Sequence, residues 1–290
     1  MKTTVSVVIP AYRAWATLPD VLDALESQVR DRGREVVLVD SSADGGAEQT
    51  ARVRPWLQVV ALSERTLPGR ARNLGFQRAQ GDLIAFLDAD AIPEPGWLDA
   101  LLDAQKTECD AVAGAVLNGT PRNPIGIASH LLEFADWSPA RREPVLHGAS
   151  CNLLVRRRAL EGQGGFPEDF WPGEDTVLTF RLAAESRLCF ASGARARHLN
   201  RTGFREFLTH QRRLGIAFAH ICARVDFPRG WMARLPMAPL GVPFRLLALG
   251  RRLWYRPRDA ALALLVSPLL VAGLVAWSVG LAQGRREVGS

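Results

Sequence analysis

The sequence has almost no lysine, and this absence argues against one class of binding partner. Lys2 and Lys106 are the only lysines, so arginine provides 34 of the 36 basic residues behind the net charge of +6. No lysine-rich arm, zinc-finger spacing or aromatic RNA-binding strand is present. These absences argue against a nucleic-acid partner. Because arginine suits phosphate, the basic surface favours a phosphorylated substrate or an anionic lipid.

Cysteine is also scarce, and its spacing argues against a zinc site. The sequence contains no CxxC pair among its four cysteines, Cys109, Cys151, Cys189 and Cys222. Each has apolar neighbours, so we predict buried, reduced core residues of a cytosolic domain. The apolar run at residues 5–10 is too short for a signal peptide, and we expect the N-terminal domain to stay in the cytoplasm.

Apolar runs of strand length alternate with helix-period segments over the first 117 residues. Strands are predicted at residues 5–9, 35–39, 57–62, 83–87 and 111–117, and helices at 14–28, 47–52, 69–79 and 95–108. Continuous apolar strands separated by helices are typical of a mostly parallel sheet with helices on both faces. The predicted fold is therefore a Rossmann-like α/β domain, whose ligands gather at the carboxyl ends of the strands.

Unusual residues follow three of these predicted strands. Residues 10–12 follow the first, Asp40 follows the second, and Asp88 and Asp90 follow the fourth. We expect all of them at one edge of the sheet. Side chains two residues apart on an extended backbone point the same way, so the two carboxylates would repel unless a cation or hydrogen-bond donors balance them.

The C-terminal part of the sequence differs from the rest in its charge pattern. Residues 260–284 carry no charge over 25 positions, which exceeds the roughly 20 residues that cross a bilayer. We predict three regions: a catalytic domain at 1–225, a basic juxtamembrane segment at 226–259, and a single transmembrane or membrane-embedded helix at 260–284. The alternatives are a buried helix kinked at Pro268 and a shallow hairpin turning there.

Arginines flank this segment unequally, and the imbalance predicts an orientation. Five precede it and two follow it. An excess of basic residues marks the cytoplasmic side. We therefore expect the catalytic domain at the cytoplasmic face of the inner (plasma) membrane.

Four segments occur in an order that resembles the family 2 glycosyltransferases with the GT-A fold. They are SVVIPAYRAW, VVLVDSS, PGRARNLGFQRAQGDLIAFLDAD and GEDTVLTFRL. The resemblance spans roughly residues 5–215. It implies an inverting transfer of one sugar from a UDP-, GDP- or dTDP-sugar, with Mg²⁺ or Mn²⁺ as cofactor. The predicted membrane anchor favours a lipid-linked or glycan acceptor held at the membrane.

The resemblance also implies which residues bind the cation. Asp90 would bind the metal, and Asp88 would contact the ribose or a metal-bound water. His198 would provide a third contact from a strand end. A cation between the carboxylates and a diphosphate would reverse the repulsion between them. Taken alone, the two aspartates could instead cap a helix.

Further residues are implied for the nucleotide. Pro10, Ala11 and Tyr12 would line its pocket, and Asp40 would accept a hydrogen bond from the base. DSSADGG departs from the usual acidic pair and Gly-Ser turn, which leaves the identity of the base open. Arg70 and Asn73 stand at the start of a helix that favours a phosphate or the base. The family's matching arginine contacts the nucleotide, which implies this role for Arg70, with Arg72 as the alternative because helix spacing does not separate the two.

Asp175 is implied as the catalytic base, with Glu174 as second choice. A carboxylate at the amino end of a helix is kept ionised by the helix dipole, as a base must be. The segment from Gln211 to Gly215 resembles a worn QxxRW motif without its tryptophan, which argues against processive synthesis. Arg213 could still reach the diphosphate or could face solvent.

Two other functions fit parts of the sequence. One is a catalytically inactive, nucleotide-binding membrane scaffold, which the retained Asp88, Asp90 and Asp175 disfavour. The other is a nucleotidyltransferase. That class uses a glycine-rich loop near the N-terminus for the triphosphate, and the segment IPAYRAW has no glycine.

Overall fold

The computed structural model describes residues 4–105, 109–142, 144–185, 188–228, 230 and 241–289. These residues belong to two compact units. The first unit comprises Met1–Leu117 and Arg141–His198, and the second comprises Asn118–Ala140 and Leu199–Ser290. The end of the predicted helix 95–108 and part of the predicted juxtamembrane segment 226–259 lie outside the described residues.

One mixed sheet forms the centre of the first unit. Its strands are β1 (Val5–Ala11), β2 (Glu35–Asp40), β3 (Leu57–Ala61), β4 (Leu83–Leu87), β5 (Ala91–Pro93), β6 (Ala111–Asn118), β7 (Asn152–Arg156) and β8 (Leu188–His198). Their order across the sheet is β3-β2-β1-β4-β7-β6-β8-β5. Strands β3, β2, β1 and β4 run parallel, whereas β7 is antiparallel to both β4 and β6.

The α/β fold predicted from the sequence is confirmed, with a difference in strand direction. The four parallel strands are the ones that the sequence separates by helices, as a parallel crossover requires. The remaining strands include antiparallel pairs. Strand β7 is buried on both faces. Its sequence is therefore a continuous apolar run, as is typical of a parallel strand. Strand direction was therefore not visible in the sequence.

The helices cover this sheet and build the second unit. They are α1 (Leu18–Val29), α2 (Gly46–Val53), α3 (Pro68–Arg78), α4 (Trp97–Gln105), α5 (Pro124–Glu133), α6 (Arg157–Gly162), α7 (Glu174–Glu185), α8 (Phe204–Arg224), α9 (Gly241–Leu253), α10 (Pro257–Leu265) and α11 (Ser267–Gly289). Helices α5 and α8 to α11 belong to the second unit. Each helix of the first unit that the sequence predicted before residue 117 is present, with ends shifted by a few residues.

Branched and aromatic side chains from neighbouring strands form the core of the first unit. Val8, Val37, Ile84, Phe86 and Leu153 are fully buried in one cluster. Helix α3 approaches β1 closely at Gly75, where a Cβ would lie 2.4 Å from Cγ1 of Val8. This small residue brings the helix down onto the strands, which positions its N-terminal turn at their carboxyl ends.

A buried asparagine connects the antiparallel part of the sheet. The side chain of Asn152 donates to the carbonyl oxygens of Ala115 (2.9 Å) and Ala194 (2.8 Å). Its oxygen accepts from Nε1 of Trp97 at 2.8 Å. One side chain therefore joins β7, β6, β8 and α4, and it satisfies polar groups that would be costly to bury unpaired.

Cysteine pairing contradicts one prediction from the sequence. Cys109 and Cys189 form a disulfide, so the prediction of four reduced cysteines is wrong for this pair. Cys151 is buried, as predicted, and Cys222 is half-buried. Cys109 precedes β6 and Cys189 lies in β8. Because β6 and β8 are neighbours in the sheet, the fold joins cysteines that are far apart in sequence.

The uncharged segment 260–284 is shared between two helices. Helix α10 ends at Leu265 and α11 begins at Ser267. Helix α11 is the one described helix that is long and apolar enough to cross a membrane, with a mean hydropathy of 1.4 and 44% of that window buried. The interruption lies beside Pro268, where the sequence placed a kink or turn.

Candidate active site

A tight turn carries the two aspartates that follow β4. The strand ends at Leu87, and the amide of Ala91 donates to the carbonyl oxygen of Asp88 at 3.0 Å. Oγ1 of Thr17 donates to the carbonyl oxygen of Ala89 at 2.7 Å. The chain continues after the turn as β5 instead of entering a helix, so the two aspartates do not cap a helix here.

Strand β5 brings a histidine to this turn. It pairs antiparallel with β8, and Ala91 lies opposite His198. Nε2 of His198 is 3.4 Å from Oδ1 of Asp90. Asp88, Asp90 and His198 each offer a ligand atom, and these atoms lie within 4.8 Å of one another. This arrangement fits a divalent cation, because two carboxylates and an imidazole converge on one point.

A buried arginine joins the aspartate turn to α7. Nη2 of Arg72 is 2.7 Å from Oδ1 of Asp88, and its Nη1 is 2.7 Å from Oε1 of Glu174. Burial lowers the pKa of Arg72, but Asp88 and Glu174 outweigh it and raise the pKa overall. The guanidinium therefore stays charged and holds one oxygen of Asp88, leaving the other for a ligand.

Glu174 is buried beside this arginine. It is 3% exposed, and its Oε2 has no hydrogen-bond partner among the described residues. Burial raises its pKa to about 7, although the charge of Arg72 acts in the opposite direction. A carboxylate that faces protein on all sides is poorly placed to receive a proton from an incoming substrate.

Asp175, the next residue, is half-buried and held in one orientation. Its Oδ2 accepts from the amide and Oγ of Ser150 at 3.0 and 3.1 Å. Its Oδ1 accepts from the amide of Thr176 at 2.7 Å. It lies in the first turn of α7, where the helix dipole stabilises negative charge. The contacts with Ser150 fix the orientation of this carboxylate.

The acidic groups of the site surround one thiol. Cys151 is fully buried, and its pKa is raised by burial and by the charges of Asp88, Asp90 and Asp175. The three aspartates therefore gather around the start of β7. No feature of the sequence indicated that Cys151 lies beneath them, because its neighbours resemble those of an ordinary core cysteine.

A second group of residues lies at the ends of β1 and β2. Ala11 and Asp40 are paired across the two strands. Asp40 is 2% exposed and accepts from Oγ of Ser42 at 2.6 Å. Burial raises its pKa more than the hydrogen bonds from Ser42 lower it. The ring of Tyr12 is partly exposed and has the guanidinium of Arg65 4.8 Å from its centroid.

Comparison with known proteins identifies the family. Residues 6–162 match the description of glycosyl transferase family 2. The chain is also 30% identical over 220 residues to glycosyltransferase AglE of Haloferax volcanii, covering 73% of this chain and 71% of that protein. The chain belongs to glycosyl transferase family 2.

Two bacterial relatives share parts of the sequence. Pre-mycofactocin glycosyltransferase of Mycobacterium tuberculosis is 29% identical over 76% of this chain, which spans about half (48%) of that protein. Undecaprenyl-phosphate 4-deoxy-4-formamido-L-arabinose transferase of Pseudomonas paraeruginosa is 40% identical over 37% of this chain and 34% of its own length. The first match thus extends beyond the part of the chain that the family description covers.

A solved structure shares the fold over nearly the whole chain. The mannosyltransferase PcManGT of Pyrobaculum calidifontis, in complex with GDP-Man and Mn²⁺, superposes with a TM-score of 0.65. It is 22% identical and covers 96% of this chain and 87% of its own. At this identity the likeness establishes the GT-A fold, and the chain is a glycosyltransferase by its family.

The structure places most residues implied by the family 2 resemblance in one unit. Asp88, Asp90 and His198 converge, and Asp175 lies near them. Arg70 is exposed on α3, whereas Arg72 makes the contacts with Asp88. The resemblance implied Arg70 for the nucleotide, with Arg72 as the alternative, and the structure shows that Arg72 is the arginine that reaches the aspartate turn.

Asn73 makes contacts that the sequence did not predict. Its amide nitrogen donates to the carbonyl oxygen of Phe166 (2.9 Å) and to Oε1 of Glu168 (2.7 Å). Its oxygen accepts from the amide of Phe166 at 2.8 Å. Both donors therefore hold the loop before α7. The sequence motif identified the residue but not its partner.

Proposed function

We propose that this protein is an inverting, cation-dependent glycosyltransferase that moves one sugar from a nucleotide-diphosphate donor to an acceptor held at a membrane. The observation that carries the proposal is the convergence of Asp88, Asp90 and His198 within 4.8 Å. A divalent cation bound there would neutralise the donor diphosphate and stabilise it as a leaving group. The nitrogen ligand favours Mn²⁺, because Mg²⁺ takes oxygen ligands.

The ends of β1 and β2 are the proposed nucleotide site. Asp40 would accept a hydrogen bond from the base, and Pro10, Ala11 and Tyr12 would line the nucleotide pocket. The pairing of Ala11 with Asp40 across β1 and β2 supports this proposal. Asp88 keeps one oxygen on Arg72 and can offer the other to the ribose or to a water on the cation. Whether the base is that of UDP, GDP or dTDP is decided by the experiment below.

Asp175 is the proposed catalytic base. It would accept the proton of the acceptor hydroxyl while that oxygen attacks the anomeric carbon. The bond from the anomeric carbon to the diphosphate oxygen breaks, and the nucleoside diphosphate leaves with the electron pair. Contacts with Ser150 hold the carboxylate in place for this step. Glu174 is buried against Arg72 and would position Asp88 without touching substrate.

A membrane-held acceptor has separate support. The name of the Pseudomonas relative refers to undecaprenyl phosphate, a lipid phosphate. In the second unit, α11 is long and apolar enough for a bilayer. A substrate confined to the membrane reaches a membrane-associated enzyme at high effective concentration. These observations favour a lipid-linked acceptor, with a membrane-held glycan as the alternative.

Donor turnover tests the proposal. Purified protein is incubated with UDP-, GDP- and dTDP-sugars and Mn²⁺, and release of nucleoside diphosphate is measured. We expect turnover with one nucleotide class, loss on chelation, and recovery when Mn²⁺ is returned. Asp90→Ala should lose the response to Mn²⁺, and Asp175→Asn should lower kcat by about 10²–10⁴-fold without loss of donor binding.

The matched control is Asp20→Asn, which changes an exposed aspartate on α1 and should leave kcat unchanged. Nuclear magnetic resonance of the product reports whether the anomeric configuration is inverted. Nucleotide binding without turnover, unaffected by Asp175→Asn, would instead identify a scaffold. Release of pyrophosphate from a nucleoside triphosphate and a sugar phosphate would identify a nucleotidyltransferase.

A further inference from the structure

Helices α8 and α11 of the second unit pack at very close range. A Cβ on Gly280 of α11 would lie 1.8 Å from the carbonyl oxygen of Arg212, and a Cβ on Gly215 of α8 would lie 1.9 Å from that of Trp277. Glycines on both helices therefore allow the backbones to touch. Contacts this close are lost if either helix moves away.

The contact extends along most of α11. Gly273 faces the ring of Phe207 near one end, and Oε2 of Glu287 is 3.2 Å from Nε2 of His220 near the other. At 1.5 Å per residue, the two helices run side by side for roughly 20 Å. Helix α11 is therefore attached to α8 over about two thirds of the roughly 30 Å that a membrane-spanning helix must cross.

Helix α8 carries several exposed charged residues. Its exposed residues include Arg205, Glu206, Arg212 and Arg213. If α11 crossed a bilayer with α8 attached, these charges would enter the hydrocarbon, where charged side chains are costly. If α11 crossed alone, the glycine contacts would be lost. The first arrangement buries charge in the hydrocarbon and the second breaks the observed packing, so both argue against a crossing α11.

The opposite side of α11 is apolar and exposed. Val271, Val275 and Val279 recur every four residues and are 43%, 49% and 55% exposed. Leu264 and Leu265 at the end of α10 are also strongly exposed. These five residues are named the apolar stripe. A helix with one face packed on protein and the other exposed and apolar suits the surface of a bilayer better than its interior.

A basic groove lies beside the apolar stripe. It has a volume of about 490 Å³, and its lining includes Val242, Val275 and Ser278 together with Arg212 and Arg286. The hydroxyl of Ser278 is buried and has no hydrogen-bond partner among the described residues. The two guanidinium groups complement the negative charge of a phosphate headgroup. The apolar side chains beside them suit the acyl chains of the same lipid.

We propose that α11 lies in the plane of an anionic membrane surface, with the apolar stripe at the boundary between headgroups and acyl chains. The groove holds the phosphate of an anionic phospholipid through Arg212 and Arg286. This inference goes beyond the proposed function, because it concerns attachment of the second unit and holds whether or not the site transfers a sugar.

Vesicle flotation tests the attachment with the full chain. Vesicles of phosphatidylcholine alone are compared with vesicles that also contain phosphatidylglycerol. We expect binding that depends on phosphatidylglycerol and is reversed by alkaline carbonate. Val275→Asp with Val279→Asp should weaken binding about tenfold or more, because both residues would enter the interface as charges. Arg286→Glu should remove the preference for phosphatidylglycerol.

Two controls change the same residue types in the first unit. Val53→Asp alters an exposed valine on α2, and Arg78→Glu alters an exposed arginine on α3. Both should bind like the unaltered protein. Circular dichroism checks that each variant is folded, and Val275→Thr with Val279→Thr gives a milder change with an intermediate loss expected.

Three results would overturn the inference. The first is resistance to carbonate together with a C-terminal tag that becomes accessible only after detergent, which would mean that α11 crosses the bilayer. The second is vesicle binding unchanged by the valine substitutions. The third is a dimer that these substitutions dissociate, without vesicle binding, which would make the apolar stripe an interface between two copies.

Discussion

Arg70 and Arg72 differ in a way that only neighbouring elements reveal. Both lie in the first turns of α3, two residues apart, and the spacing of the helix gave no reason to prefer either. In the structure Arg72 is 3% exposed and bridges Asp88 and Glu174. A planar guanidinium can make both contacts at once, which a lysine ammonium cannot do with the same geometry. The choice between them depends on where β4 and α7 come to lie.

The raised pKa of Glu174 predicts how the stability of the protein changes with pH. Burial raises its pKa from 4.5 to about 7. Between these values the folded protein keeps a proton that the unfolded chain has lost. The free energy of unfolding should therefore fall as pH rises through this range and level off above about pH 7, by up to about 3 kcal/mol from this group. Urea denaturation across the range measures the slope.

Glu174→Gln removes the titrating group and should flatten the slope. Glu161→Gln, which changes a largely exposed glutamate on α6, serves as the matched control and should keep the slope of the unaltered protein. A slope that is the same in all three proteins would show that Glu174 does not take up a proton on folding. The histidines contribute to the pH dependence of the free energy of unfolding in all three proteins, so comparing the variants cancels their contribution.

At the level of elements, the stretch AFLDADAIP was only partly predictable. The apolar run correctly indicated β4, and the two acidic residues indicated a site at its end. The alternative in which the two aspartates cap a helix does not hold, because residues 91–93 form strand β5. Strand β5 is three residues long and its pairing with β8 is long-range. No local pattern indicates such a pairing, yet it is what places His198 beside Asp90.

Replacing a glycine by alanine on α11 and on α9 is predicted to change the stability of the second unit in opposite directions. A Cβ on Gly280 would overlap the backbone of α8, whereas a Cβ on Gly250 meets nothing within 4 Å. Gly280→Ala should destabilise the second unit by about 1–3 kcal/mol through overpacking. Gly250→Ala should stabilise it by up to about 1 kcal/mol, because alanine favours a helix. Thermal denaturation of both variants measures the two shifts.

Each of these variants serves as the control for the other, since both add one methyl group to a helix of the same unit. Equal shifts in Tm would mean that α8 and α11 are not in close contact. In that case the packing that keeps α11 out of the bilayer would also be absent, and the vesicle experiment would be expected to show an integral protein.

For the whole molecule, the disulfide predicts a dependence on reducing agent. Cys109 and Cys189 are 80 residues apart, and closing a loop of this length stabilises a fold by about 4 kcal/mol in the chain-entropy description. Reduction of the oxidised protein should therefore lower its Tm by roughly 10 °C. Differential scanning calorimetry with and without reductant measures the change.

Cys109→Ser with Cys189→Ser is the comparison protein. Its Tm should match that of the reduced protein and should not respond to reductant, because the remaining Cys151 and Cys222 are in no disulfide. A Tm of the unaltered protein that is the same under both conditions would mean that the bond does not stabilise the first unit.

By itself, the sequence determined the α/β class, the first four parallel strands and the family 2 motifs, because these depend on local periodicity and on residues near one another in the chain. It also indicated Asp88, Asp90 and Asp175, since each ends a strand or begins a helix. The tertiary structure decided which arginine reaches Asp88, that Asn73 holds a loop, and that Cys109 pairs with Cys189. It also attached α11 lengthwise to α8. Those outcomes depend on contacts between distant segments, which hydrophobic patterning does not encode.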